Sequence, residues 1–414
     1  MDMYKNISNC LVYHKILLVM GDYLKMDERV MDILSIETGG ISYKAHKYAL
    51  DHAERPTIDY GEDHHVWKKC GESNPKSTYV DLDRFSRDVA SSGSQMLTYF
   101  LDGSRRVYKV DDISYVLSGN RTAIYPVIAG QIGVGCCKRV DKIMNTHKYV
   151  HELAVALPDI ADKDGTKAGF KSAMAKKLNE SSILKRLSPN GKLTFGSVMV
   201  YPTASIDQKQ YEDKGTECIQ DRMITIEQDM VASLVSEGKL DQCNYLVKDG
   251  SLEYRNIENL KGHERENFQK KYDYVIGISK SFNPHACKDT KGKANPGFIA
   301  KLPLYHRTPV AWYQAHGMNF AVWYIRLRDK SRTRTTFDGI VKVEKMLVNR
   351  KELNGDRGMD SELVDLLSAY IINERNPTCY GLDSRWANHI YPIFTTEQIV
   401  KSKYLGTECF LHLF

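Results

Sequence analysis

The chain has 414 residues, of which 42% are hydrophobic, 27% charged and 10% aromatic. This is ordinary globular composition, long enough for a large core in one elaborated domain or two to three smaller ones, and it excludes disordered, collagenous and fibrous chains. Lys and Arg number 58 against 52 Asp and Glu, a net charge of +6 that is too small by itself to announce a nucleic-acid binder.

The N-terminus lacks a basic region followed by a long apolar stretch, so no secretory signal is expected. Apolar runs such as residues 16–20 fall far short of the ~18 residues of a membrane span. Nine cysteines with no C-x-x-C pair, and no signal, read as reduced thiols in a cytoplasm, and the short apolar runs give no expectation of a membrane partner. Helical signals lie at residues 23–36. A polar stretch at 51–76 follows, so residues 1–78 read as an N-terminal extension ending in a linker. Within it, His46, His52, His64, His65 and Cys70 lack the paired spacing of a zinc site and read as a polar surface segment.

From Tyr79 onward the pattern sharpens. Residues 95–101 (QMLTYFL) read as a strand turning at Asp102-Gly103-Ser104, with 106–110 as its return strand. Residues 123–136 read as a buried strand pair with glycine bends. Residues 138–192 carry twelve Lys/Arg against six Asp/Glu, with helical spacing at 170–187, and read as a basic helical insertion. Residues 221–235 form a clear helix, with Ile226, Met230 and Leu234 in one row and Glu227, Val231 and Val235 in the next. Strands follow at 245–248 and 272–279. Two more, at 320–328 and 339–346, are joined by a charged turn. A helix at 363–372 has Ser361 as its N-cap, and a last helix begins at Thr395 with a Thr-x-x-Gln capping box. Strands interleaved with helices indicate an α/β class with a mixed sheet flanked by helices.

Asp102 and Asp249 each follow a β-type run and each precede Gly-Ser. A strand-end carboxylate is held by a rigid element, and glycine leaves room beside it. Two such groups on neighbouring strands suit one Mg²⁺ or Mn²⁺ ion, although a lone Asp-Gly is also a common turn. Glu227 sits at the edge of a buried helix face and needs a cation or a basic partner there, such as Arg222 or Lys239. Lys280 ends a strand where it can neutralise a phosphate. Arg326 and Arg328 share a strand face suited to backbone phosphate, the competing reading being a solvated hairpin tip. Gly130, Gly133 and Gly135 make G-x-x-G-x-G, which is not the dinucleotide fingerprint. No Walker A lysine motif, G-x-S-x-G elbow or H-E-x-x-H occurs.

The ordered set Phe100-Leu101-Asp102-Gly103-Ser104-Arg105, Arg222…Glu227, Leu246-Val247-Lys248-Asp249-Gly250-Ser251, Val275-Ile276-Gly277-Ile278-Ser279-Lys280, Trp323-Tyr324-Ile325-Arg326, Val341-Lys342-Val343-Glu344 and Tyr391-Pro392 resembles the NurA nuclease family. The resemblance spans roughly residues 95–405. It implies an RNase H-like fold over 79–414 and a DNA nuclease that favours Mn²⁺ (or Mg²⁺). It also implies a homodimer working with a HerA-type hexameric ATPase in DNA end processing or phage defence. The family's metal-binding carboxylates map onto Asp102, Glu227 and Asp249, with Lys280 assisting and Arg105 beside the first motif. Family members often carry a histidine some way after the Tyr-Pro pair, and here the run Ile393-Phe394-Thr395-Thr396-Glu397-Gln398 that follows Tyr391-Pro392 has none. His389 and Glu397 are the nearby substitutes, with Tyr391 a further candidate. That departure keeps open a non-catalytic DNA-binding or ATPase-docking subunit of the same fold. An Argonaute-like guide-dependent nuclease also uses strand-end aspartates, but no separate guide-binding domains are evident in the chain.

Overall fold

The computed structural model describes residues 29–50, 69–76, 78–162, 165, 168–188, 190–204, 208–287, 293–348, 352, 358–377 and 384–414. The predicted helix over 23–36 is described from Arg29 onward, as α1 (Val30–Thr38). Short strands β1 (Ile41–Ser42), β2 (Tyr48–Ala49), β3 (Lys69–Cys70) and β4 (Val80–Asp81) follow, then α2 (Asp83–Ser92). The centre is built from β5 (Leu97–Val116), β6 (Thr122–Val140), β7 (Ile143–Pro158) and β8 (Phe195–Tyr201), with α3 (Ala168–Glu180) and α4 (Ser182–Leu187) between the last two. Helix α5 (Gln208–Ser236) leads to β9 (Tyr245–Asp249), α6 (Gly262–Lys270), β10 (Val275–Ser279) and α7 (Pro296–Ala300). Strands β11 (His306–Arg307), β12 (Ala311–Ala315), β13 (Met318–Arg326) and β14 (Ile340–Met346) precede α8 (Ser361–Asn373), α9 (Tyr391–Lys401) and α10 (Thr407–Leu411).

The fourteen strands among the described residues join one mixed sheet, whose main path runs β3-β12-β13-β14-β10-β9-β5-β6-β7-β8. Strands β5, β9 and β10 are mutually parallel neighbours, and β7–β8 is also parallel. The α/β class with a mixed sheet flanked by helices is therefore as expected. Alternation assigns the two faces. Gly130 faces α5, where an added Cβ would lie 3.3 Å from Ile219, whereas Gly135 faces α9, where it would lie 2.6 Å from Val400. One apolar layer holds α1 and α5 residues such as Leu34, Ile219, Ile226 and Val231. The other holds Phe100, Trp323, Leu367, Ile390 and Ile393. Trp323 is fully buried and its indole N–H donates to Ser368 Oγ at 2.9 Å.

Several expectations are corrected. Asp102-Gly103-Ser104 is not a turn. Strands β5 and β6 pair without a break across it, Asp102 opposite Gly135 and Ser104 opposite Gly133, and glycine in mid-strand marks a close approach rather than a bend. Residues 123–136 are one strand, not two. The basic insertion is helical only in its second half, because Ile143–Pro158 is a strand ending in a buried run. Residues 1–78 do not stand apart where they are described. Val30 and Leu34 are fully buried, β1 and β2 pair with β5, and β3 pairs with β12. Asp360, not Ser361, caps α8, accepting from Glu362 N at 3.1 Å, while Ser361 Oγ accepts from Asn74 N. Helix α9 starts at Tyr391 with Pro392 in its first turn, so Thr395 is already helical and its hydroxyl bonds to Tyr391 O.

Candidate active site

Two parallel strands set the site. Leu101 on β5 is the partner of Lys248 on β9, so Asp102 and Asp249 come next in each strand. Side chains alternate, which puts Lys248 on the α5 face and Asp249, with Asp102, on the α9 face. Asp102 is 4% exposed, and its Oδ2 is buried with no hydrogen-bond partner. Burial raises its pKa well above the ordinary carboxylate value, and the charge of Asp249 raises it further.

Burial would also raise Asp249, but Lys280 outweighs it. The ammonium stands 2.8 Å from Asp249 Oδ2, and the net shift is downward. The same ammonium lies 3.9 Å from Glu397 Oε2 on α9, and Lys401 holds the other Glu397 oxygen at 2.5 Å. Burial pushes the Glu397 pKa up, yet the two lysines bring it below normal. His389 is 3% exposed and acts electrostatically on both Asp249 and Glu397. A neutral acid beside an ionised one on the same face is the arrangement like charges adopt when crowded.

Glu227 reaches the same strands from behind. It extends from α5 over Gly103, where any side chain would collide with Glu227 Oε1. Lys248 Nζ pairs with Glu227 Oε2 at 3.1 Å, and both are almost fully buried. Burial still leaves the Glu227 pKa raised, with Lys248 opposing the shift. Lys248 also donates to Asp249 O at 2.8 Å. Four carboxylates thus surround the end of β9: Asp102, Asp249 and Glu397 on the α9 face, and Glu227 on the α5 face.

The remaining predicted residues divide. Arg105 lies on the α5 face, its Nε 2.5 Å from Gln220. Arg326 is not a phosphate ligand in waiting. It is 1% exposed, and its guanidinium is spent on the carbonyls of Leu302, Ala300, Thr336 and Asp338. Arg328 is half-buried, stacked 5.1 Å over Trp386. Tyr391 is 47% exposed, and its backbone N–H bonds to Glu374 O, so it is a helix-start residue. His46 is exposed, and His52, His64 and His65 lie outside the described residues.

As placed, no three His, Cys, Asp or Glu side chains among the described residues form a ready metal cage. Lys280 and Lys248 hold the positions between them. The donor set nevertheless fits a hard divalent cation. It is all carboxylate oxygen, and the partnerless Asp102 Oδ2 is a buried acceptor that such an ion would satisfy. No helix among the described residues is long and apolar enough to cross a membrane.

No protein-family model and no curated protein matches this chain. Among solved structures it is similar to the NurA nuclease from Sulfolobus solfataricus, at 10% identity and a TM-score of 0.37, over 74% of this chain and 79% of that one. At this likeness the carboxylates themselves, not the neighbour, have to indicate the chemistry.

Proposed function

We propose that this chain is a metal-dependent deoxyribonuclease that hydrolyses phosphodiester bonds at the end of β9. The observation that carries this reading is the buried, partnerless carboxylate oxygen of Asp102 on the same face as Asp249 of the adjacent strand. Asp102, Asp249 and Glu227 would hold Mn²⁺ or Mg²⁺, with Glu397 as a fourth carboxylate on the Asp102 face. When bound, the ion supplies an acidified water and charge stabilisation for the leaving oxygen. Lys280 and Lys401 hold Glu397 and Asp249 ionised and bring positive charge to the phosphate. Lys248 keeps Glu227 oriented and its carboxyl largely desolvated. His389 adds a titratable group beside Asp249 and Glu397. The assembly of two copies of the chain with a hexameric ATPase translocase belongs to this proposal. It rests on the family resemblance of the motifs, and co-purification of the chain with such an ATPase would support it.

The direct test is cleavage of linear and single-stranded DNA with Mn²⁺ by Asp102→Ala and Asp249→Ala. Each is expected to lose activity by about a hundred- to a thousandfold, the range of removing a principal transition-state stabiliser. Full activity in either variant would overturn the site.

A further inference from the structure

Asp249 ends β9, and the turn that follows it governs where its carboxylate stands. Gly250 has φ +84°, which glycine adopts without strain, and its N–H donates to Ile278 O at 2.8 Å. The turn then lies across β10 on the α5 face, with Gly277 as its seat. A Cβ on Gly277 would lie 2.8 Å from Gly250 O and 2.9 Å from Leu252 Cγ, so a side chain there would lift the turn off the strand.

Strand register puts one charged side chain on each side of that seat. Gly277 is paired with Lys248 on β9 and with Glu344 on β14, and residues directly opposite one another project to the same face. Lys248 donates to Asp249 O at 2.8 Å and to Ser251 O at 3.4 Å. Glu344 Oε2 accepts from Ser251 Oγ at 2.7 Å and from Leu252 N at 2.9 Å. The lysine thus holds carbonyls of the turn and the glutamate holds its donors. Ser251 Oγ also accepts from Glu253 N at 3.1 Å, which ties the end of the turn to the same hydroxyl.

Glu344 holds the turn as an anion. It is fully buried, and burial alone would raise its pKa. The Lys342 ammonium on its Oε1, with Ser251 and Leu252 N–H on Oε2, brings it below the ordinary carboxylate value instead. Glu253 lies 3.8 Å from the same ammonium and accepts from the Tyr313 hydroxyl. Burial, and then the charge of Glu344, push Glu253 up to about 7. Of the two crowded acids, Glu344 is therefore the one that Lys342 balances.

We infer that Glu344 is a positioning residue of the carboxylate site, fixing the Asp249–Leu252 turn against Lys248 and so setting the angle at which Asp249 meets the cation. The inference rests on the metal site of the nuclease reading and deepens it with a residue that touches neither metal nor DNA. Hydrogen bonds to an ionised carboxylate are short and strong, and a metal ligand has to be held to within about 0.5 Å of its working geometry. The serine of the triplet at 249 thereby gains a function, as the hydroxyl through which Glu344 grips the turn.

The test is the affinity for Mn²⁺ alone, read from the electron paramagnetic resonance of the free ion as the metal-free full chain is titrated. Urea unfolding of each variant runs alongside. Glu344→Gln keeps the side chain's size and one acceptor but loses the charge. It is expected to weaken Mn²⁺ binding about ten- to a hundredfold, the usual effect of removing a group that orients a metal ligand. Ser251→Ala leaves every charge in place and should weaken binding by about tenfold, the lower end of that range. If Glu344→Gln does not fold, Ser251→Ala decides. A lowered urea midpoint with wild-type Mn²⁺ affinity would overturn the inference and leave Glu344 a purely structural residue. Wild-type cleavage of DNA with Mn²⁺ separates this inference from the reading beneath it. Cleavage with unaltered metal affinity in the variants removes only the positioning role. Glu344-dependent Mn²⁺ binding without cleavage removes only the nuclease reading. A wild-type chain that binds no Mn²⁺ removes both.

Discussion

Asp102 is the residue on which the proposed chemistry turns. Its pKa is raised by burial first and by Asp249 second. A carboxyl raised on folding holds its proton more tightly in the native state. The stability it contributes is complete below the unfolded carboxylate pKa and is lost as pH climbs through the native value. The metal-free protein should therefore weaken as pH rises through that native value. Asp102→Asn should flatten this loss, seen as a smaller drop in urea midpoint as pH rises from the unfolded carboxylate range upward. An unchanged pH slope would mean that another group is the buried acid. Asp249 does not compensate, because Lys280 already keeps it ionised. Both aspartates were legible in the sequence as D-G-S triplets, but the reason given for them, a strand-end turn, holds only for Asp249. Asp102 sits in the middle of a 20-residue strand. What local sequence could not reveal is that β6 continues opposite it.

The decisive element is α9. It lies directly on the glycines of β6, since a Cβ on Gly133 or Gly135 would come within 2.7 or 2.6 Å of Val400. Gly133 and Gly135 of the G-x-x-G-x-G run, idle as a nucleotide motif, are thus a docking strip for α9, which carries Glu397 toward the Lys280 that holds Asp249. Gly135→Ala must push α9 outward. It should cost about 1–3 kcal/mol, the usual range for overpacking, measured by the urea midpoint. Metal affinity should weaken with it, because Glu397 rides on the same helix. Unchanged Mn²⁺ affinity in a folded Gly135→Ala protein would remove Glu397 from the site. Helix α5 behaves as its periodicity predicts in burying Ile226, Met230 and Leu234, but Glu227, expected at the edge, is buried as well. The pattern could not show that Lys248, rather than Arg222, is its partner. Arg222 is taken by Glu152, at 2.8 and 2.9 Å.

Several basic side chains among the described residues are used internally. Arg326 and Arg307 are buried within the framework, Arg307 pairing with Glu72 at 2.8 Å and with Asp365 at 2.5 Å. In the basic stretch after residue 138, Arg139 and Lys148 are paired with Glu374 and Glu237. The surplus of six is therefore a poor guide to nucleic-acid affinity, and position is the better one. A cation that binds the folded chain and not the unfolded one stabilises the whole fold by RT ln(1 + [L]/Kd), about 2.7 kcal/mol at a hundredfold excess over Kd. Mn²⁺ should accordingly raise the melting temperature and EDTA should reverse it. Asp249→Asn should abolish the shift. A wild-type protein whose melting temperature ignores millimolar Mn²⁺ would exclude a metal site of useful affinity.

While α6, α7, β11, β12 and α10 carried no signal that the local pattern revealed, periodicity and residue type alone determined strands β9, β10, β13 and β14, helix α8, the amphipathic face of α5, and Asp102, Asp249 and Lys280 as candidates. These follow from nearest-neighbour physics, since side-chain alternation and the 3.6-residue repeat are written into a few consecutive residues. Tertiary structure alone decided that D-G-S at 102 is mid-strand, that the described N-terminal segments join the sheet, and that Arg326 is internal. It also brought Glu397, His389 and Lys248 to the aspartates. Each of these depends on which distant strand or helix lies opposite, and that is settled by the global match of apolar faces and backbone hydrogen bonds, not by any local run of sequence.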